Sequence, residues 1–140
     1  MIPKDSIIGT KRMQGHTDTV ETIYVRHVSG GVSVIGVKSM EQGRSKFQGT
    51  GKEFCWLDEE PDREAYDIYA ECKARTMTTG GKVLLTFTPL KGMSELCKWL
   101  IDKKSDPDYT FVNMTWEDAP HLSETEKAKR RLDMKPHEIE

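Results

Sequence analysis

One run of eight residues constrains this 140-residue chain more than any other feature of its sequence. Four apolar residues, Phe54 to Leu57, lead directly into three carboxylates, Asp58 to Glu60, and then into Pro61. An unbroken apolar run of this length is typical of a strand buried on both faces of a parallel sheet. The carboxylates would then lie at the carboxyl end of the strand, where open α/β sheets bind ligands. The run therefore predicts an α/β fold with acids at a binding edge.

The residues after Pro61 predict a helix and a second buried strand. Apolar residues recur from Ala65 to Thr76 at the i, i+3, i+4, i+7 spacing of an amphipathic helix. Two glycines, 80 and 81, suit its end, and Lys82 to Pro89 again has the composition of a buried strand. A strand, a helix and a strand of these lengths form a right-handed parallel unit. We therefore expect a mainly parallel sheet flanked by helices.

Parallel strands that end together would place the acids beside two hydroxyls, Thr86 and Thr88. In nucleotide-hydrolysing proteins a buried strand, called the Walker B strand, delivers an aspartate to the Mg²⁺ of a bound triphosphate. In that interpretation Asp58 binds Mg²⁺ and Glu59 is the general base for the attacking water. The threonines would bind a water, a phosphate oxygen or the glutamate. In the alternative interpretation the acids only cap and start a helix.

The segment before the acidic strand is expected to be a functional loop. Residues 39–51 contain three glycines and no helical periodicity, and basic side chains occur at Arg44, Lys46 and Lys52. These cations would lie near the phosphates or reach a neighbouring subunit. The alternative is that they are solvated charges on a loop.

The remaining patterns predict a mixture of short elements. Residues 1–18 are polar and irregular, whereas 22–28 and 32–38 form an antiparallel hairpin. Ser94 caps a helix, residues 109–116 have the period of a β segment, and a capping box at 123–126 opens a last helix that stops before Pro136. Phe54 and Trp56 are expected in the core.

Composition excludes several classes of function. The 21 basic and 23 acidic residues give a net charge of −2, so no overall field favours nucleic acid or a membrane. The three cysteines and four histidines lack metal-ligand spacing, so a metal site is not expected. The cysteines are expected to be buried free thiols in a reducing compartment. No apolar run approaches the ~20 residues that span a bilayer, so we expect a soluble intracellular protein. A hydrophobic content of 36% is low for a self-sufficient α/β domain.

Four motifs, in order and at matching spacing, resemble the large terminase subunit of tailed bacteriophages. They are Glu41 to Gly49, Trp56 to Pro61, Gly81 to Gly92 and Asp118 to Ser123. The resemblance implies a P-loop ATPase of the additive-strand type that uses ATP and Mg²⁺ to move double-stranded DNA into a procapsid. It further implies a ring of identical subunits, a portal protein and a small terminase subunit as partners, and the cytoplasm of a bacterial host.

By this resemblance Asp58 is the Walker B aspartate, which contacts Mg²⁺ and the nucleotide, and Glu59 is the catalytic glutamate. Thr86 to Thr88 corresponds to the motif that couples hydrolysis to movement, with Thr88 also at the nucleotide. Many family members have an arginine directly before the glycine that is Gly49 here, where this chain has Gln48. Arg44 is the nearest candidate for a trans-acting arginine.

Two family motifs have no counterpart in the 140 residues. No G-x-x-x-x-G-K-[ST] phosphate loop occurs, and the acidic cluster of the terminase nuclease is also missing. Residues 1–140 therefore read as a partial ATPase domain, from Walker B to the end of the ATPase core, and the isolated chain is expected to hydrolyse little or no ATP. The alternatives are a piece of another P-loop motor, such as a helicase, or a non-catalytic interaction module or remnant.

Overall fold

The computed structural model describes residues 2–16, 18–89 and 92–133, which fall into two units, Met1–Lys98 and Trp99–Glu140. The strands are β1 (Ile7–Arg12), β2 (Val20–Arg26), β3 (Val32–Gly36), β4 (Phe54–Asp58) and β5 (Lys82–Thr86). The α-helices are α1 (Ala65–Met77), α2 (Glu95–Asp102) and α3 (Glu124–Asp133). Short 3-10 helices cover Lys4–Ser6, Met40–Gln42, Arg44–Phe47 and Trp116–Asp118. None of the described helices is long and apolar enough to cross a membrane.

The larger sheet is antiparallel, with the strand order β1-β2-β3. The expected hairpin is present, and His27 donates its backbone N–H to the Gly31 carbonyl across the turn at 2.9 Å. The prediction that residues 1–18 are irregular is wrong, because β1 pairs with β2 along most of its length. The α/β class is confirmed, but the expected mainly parallel sheet is not. Three of the five described strands are antiparallel.

The smaller sheet is the predicted parallel unit, formed by β4 and β5 with α1 between them in the chain. Helix α1 packs on both strands. The buried apolar residues of the described chain are few, and they centre on this unit and the start of α2: Leu57, Ile68, Tyr69, Cys72, Leu96 and Cys97. The described cysteines are free thiols; Cys72 and Cys97 are buried, as predicted, whereas Cys55 is only half-buried. Burial raises the pKa of the Cys72 thiol to about 12, with a further contribution from Cys55.

The prediction that β4 is buried on both faces is wrong. Successive strand residues point to opposite faces, and α1 covers the face that carries Leu57. On the opposite face Phe54 is 55% exposed, Trp56 is 60% exposed and Leu84 of β5 is 43% exposed. Two residues expected in the core are therefore on an open apolar surface.

A tight turn connects α1 to β5 and fixes where β5 begins. Gly80 has a φ of 65°, and Gly81 donates its N–H to the Thr76 carbonyl at 2.9 Å. A Cβ atom at Gly81 would collide with the backbone oxygen of Glu53, just before β4. The predicted glycine pair thus allows the two strands to approach closely enough to pair.

Serine caps begin the last two helices, as predicted. The Ser94 hydroxyl accepts a hydrogen bond from the Cys97 N–H at 3.1 Å, and the Ser123 hydroxyl accepts one from the Glu126 N–H at 3.2 Å. The β segment predicted at residues 109–116 is wrong. Residues 109–115 form no strand, because no described strand pairs with them. The expected stop before Pro136 lies outside the described residues, as do positions 90 and 91 of the third motif.

Candidate functional site

The candidate site lies at the carboxyl ends of β4 and β5, where the register places Asp58 directly opposite Thr86. The Thr86 hydroxyl donates a hydrogen bond to Oδ1 of Asp58 at 2.7 Å. The Glu59 N–H donates to the Thr86 carbonyl at 2.7 Å, which extends the ladder one residue beyond the strand. The parallel pairing therefore places the Asp58 carboxylate in contact with the Thr86 hydroxyl.

A third side chain joins this pair, and sequence reasoning missed its role. The indole Nε1–H of Trp56 donates to the Thr86 hydroxyl oxygen at 2.7 Å. Residues i and i+2 of a strand share a face, so Trp56 lies on the same face of β4 as Asp58. That period of two was visible in the sequence. The unbroken apolar run conceals it, because a tryptophan next to a buried leucine has the pattern of a core residue.

Glu59 leaves the strand in an unusual backbone conformation. Its φ is 69°, in the left-handed region that non-glycine residues rarely occupy, and its side chain is exposed. Such strained positions cluster at functional sites. Thr88 is also exposed, beyond the end of β5. Within the described residues Thr88 makes no hydrogen bond to Asp58 or to Glu59, so the structure does not bring this predicted site residue onto the acids.

Glu60 makes a hydrogen bond at the start of α2, a different helix from the one expected. In the interpretation of the acids as helix-starting residues, Glu60 would lie at the start of the next helix, α1. Instead, the Ser94 hydroxyl donates to its Oε1 at 2.5 Å, and the same hydroxyl caps α2. Glu60 thus ties the end of β4 to the start of α2. A cavity of about 210 Å³ lies at this junction, and its lining carboxylates would repel phosphate: Glu60, Asp62, Glu64, Asp67 and Glu95.

Arg44 lies against α1 in this chain. Its Nε donates to Oε2 of Glu71 at 3.0 Å, and its backbone N–H donates to the Glu64 carboxylate at 3.0 Å. Glu71 also forms an ion pair with Arg75, one helical turn further along α1, at 3.0 Å between Arg75 Nε and Oε1. Arg75 also donates from Nη1 to the Gly49 carbonyl at 2.7 Å. These contacts hold the loop before β4 onto the helix, and the trans-acting role of Arg44 stays a prediction.

The described residues contain no cluster of three His, Cys, Asp or Glu side chains suited to a metal ion. At the candidate site, Asp58 is a single exposed carboxylate. Mg²⁺ commonly uses one or two carboxylates and completes its shell with water and substrate phosphates. The hard oxygen donors of Asp58 and Thr86 fit a metal that arrives with a nucleotide.

Comparison with known proteins places the chain in a family. The family described as "Terminase large subunit, T4likevirus-type, N-terminal" matches residues 1–140. The terminase large subunit of Salmonella phage P22 is 35% identical over 144 residues, which cover 99% of this chain and 28% of that protein. The terminase large subunit of Enterobacteria phage LP7 is 40% identical over 79 residues, 56% of this chain and 16% of that protein.

No solved structure gave a significant match. The chain aligns with 28% of the P22 protein and 16% of the LP7 protein, so it spans less than a third of the length of these relatives. The family match nevertheless extends from the first residue to the last. The chain belongs to the N-terminal family of T4-like large terminase subunits.

Proposed function

We propose that this chain supplies the metal-binding and water-activating half of the ATPase site of a viral DNA-packaging motor. One observation carries the proposal. Adjacent parallel strands end in an acid and a hydroxyl that are hydrogen-bonded at 2.7 Å, at the edge where such sheets bind ligands. Two relatives named as terminase large subunits favour packaging over a helicase.

In this proposal Asp58 holds Mg²⁺. Its Oδ1 accepts from Thr86, and its Oδ2 makes no hydrogen bond within the described residues. The metal, when bound with ATP, would neutralise charge on the β- and γ-phosphates. The protein's own contribution is to hold the Asp58 carboxylate in one orientation before the nucleotide arrives.

Glu59 is the proposed general base. Its positive φ turns the backbone at the end of β4, so its carboxylate leaves the row of the strand side chains. The exposed carboxylate is free to take a proton from a water that attacks the γ-phosphate, which releases ADP and inorganic phosphate. Thr86, opposite Asp58, and Thr88, beyond the strand end, are the proposed elements that transmit the state of the nucleotide to β5.

The other parts of the proposal concern the whole motor. Arg44 would act on the nucleotide of a neighbouring subunit in a ring, which requires it to leave Glu71. Double-stranded DNA, a portal protein and a small terminase subunit are the proposed partners, and the phosphate-binding loop would come from sequence beyond these 140 residues. P-loop motors assemble their sites from such separate parts.

A chimera tests this proposal. Residues 1–140 replace the matching segment of the P22 terminase large subunit, and Mg-ATP turnover is measured by phosphate release. We expect turnover in the chimera and a loss of about 100-fold or more in Asp58→Asn and Glu59→Gln. Glu53→Gln, an exposed acid just before β4, is the matched control and should retain activity. Full turnover in the Asp58 and Glu59 variants would refute the proposed roles.

A further inference from the structure

We propose that Trp56 is a positioning residue for the metal-binding aspartate. Its indole N–H fixes the direction of the Thr86 hydroxyl, and that hydroxyl in turn orients Asp58. The two hydrogen bonds are each 2.7 Å long and run in series across β4 and β5. The inference rests on the proposed role of Asp58, and it adds a residue that the apolar run had assigned to the core.

The chemistry of the three groups allows only one direction for this chain of hydrogen bonds. An indole nitrogen can donate but cannot accept, and an ionised carboxylate can accept but cannot donate. The threonine hydroxyl has one hydrogen, so when it accepts from Trp56 its own hydrogen is directed to Asp58. Threonine is β-branched and has few χ1 rotamers, which further restricts the hydroxyl. The relay therefore runs from Trp56 through Thr86 to Asp58.

The exposure of Trp56 indicates why its N–H matters. At 60% exposure the ring contributes little buried area in this chain, so the distinctive contact of the side chain is its hydrogen bond. Phenylalanine or leucine would preserve an apolar strand but could not donate. Without the indole, the hydroxyl hydrogen can turn towards water, and the Asp58 carboxylate gains rotational freedom.

A positioning role predicts an effect on metal dependence rather than on the chemical step. Groups that orient a metal ligand typically change metal affinity or activity by 10- to 100-fold when removed. Trp56 reaches Asp58 only through Thr86, so we expect the low end of that range. Trp56→Phe in the chimera should raise the Mg²⁺ concentration for half-maximal turnover by about 10-fold and leave kcat at saturating Mg²⁺ nearly unchanged.

The hydrogen bond itself can be measured without nucleotide or metal. Proton–nitrogen spectra of the 140-residue chain, which has three tryptophans, resolve their indole N–H signals, and Trp56→Phe identifies one of them. Thr86→Val should move that signal upfield and speed its exchange with water. Thr86→Ser, which keeps a hydroxyl, and Thr88→Val, the matched control, should leave it in place.

The outcomes separate this inference from the proposed function. If Thr86→Val leaves the Trp56 signal unchanged, the relay does not exist and the inference is wrong. If Asp58→Asn abolishes turnover while Trp56→Phe leaves the Mg²⁺ dependence unchanged, the proposed function stands and the positioning role fails. If neither substitution affects turnover or its Mg²⁺ dependence, the proposed function fails, whatever the spectra show.

Discussion

Replacing both arginines that neutralise Glu71 should lower the free energy of unfolding by more than the sum of the two single substitutions. Glu71 is 4% exposed, and each of its oxygens pairs with a different guanidinium at 3.0 Å, Oε2 with Arg44 and Oε1 with Arg75. A buried carboxylate that keeps one cation remains compensated, whereas one that loses both is an uncompensated buried charge. The two arginines therefore act as alternatives, and their effects on stability are coupled.

The exposure of each arginine sets the expected magnitudes. Arg44 is 52% exposed and its pair is partly screened, so Arg44→Ala should cost about 1 kcal/mol. Arg75 is 34% exposed and also donates to the Gly49 carbonyl, so Arg75→Ala should cost about 2 kcal/mol. The double variant should lose about 4–5 kcal/mol, the range for a buried charge left without a partner.

Urea unfolding of the 140-residue chain, followed by circular dichroism, measures these free energies. Arg63→Ala, an exposed arginine just before α1, is the matched control and should change stability little. Adding Glu71→Gln to the double variant removes the orphaned charge, so the triple variant should be more stable than the double one. Strictly additive single costs, or no gain from Glu71→Gln, would show that the two arginines do not act as alternatives.

Three further outcomes are expected. The isolated chain should release no phosphate from Mg-ATP above background, and turnover that disappears in Asp58→Ala would contradict this. Because burial raises the pKa of Cys72 to about 12, maleimide should label it slowly at pH 8 in the native chain and rapidly in urea, as read by mass spectrometry. Hydrogen bonds from Thr115 lower the pKa of Asp118 below its ordinary value of 3.8. The stabilisation of the 115–118 turn should therefore be present above pH 3.8 and be lost as the pH falls through the lowered pKa, as followed by amide exchange at Thr115 and abolished in Asp118→Asn.

The parallel unit could be predicted because its signals are local. The period of α1, the glycines at its end and the composition of β5 each depend on a few neighbouring residues. Right-handed crossover then places two strand ends side by side. That topology predicted that the acids would lie beside the threonine hydroxyls, but the Thr86 hydroxyl binds Asp58, 28 positions away, and not the glutamate that the sequence indicated.

The wrong predictions have a common physical cause. Strand pairing and burial depend on neighbouring elements that the local sequence does not specify. A strand needs a partner, so β1 formed from an unremarkable sequence where β2 was available, while residues 109–115 had a strand-like period and no described strand to pair with. Burial likewise depends on coverage. Phe54 and Trp56 are apolar, but α1 covers only one face of the sheet. Arg44 pairs with Glu71, 27 positions away, and no local sequence pattern indicates such a distant contact.

The open face and the candidate site are linked through Trp56. Its ring belongs to the exposed apolar surface with Phe54 and Leu84, while its N–H belongs to the relay that orients Asp58. A two-stranded sheet is marginally stable by itself, and a hydrogen bond strengthens when water is excluded around it. Any segment that packs on this face would therefore both stabilise the strands and tighten the relay. By linkage, metal binding at Asp58 would favour that packing to the same extent. Under the proposed metal-binding role of Asp58, the apolar run and the acids that follow it would therefore be thermodynamically coupled.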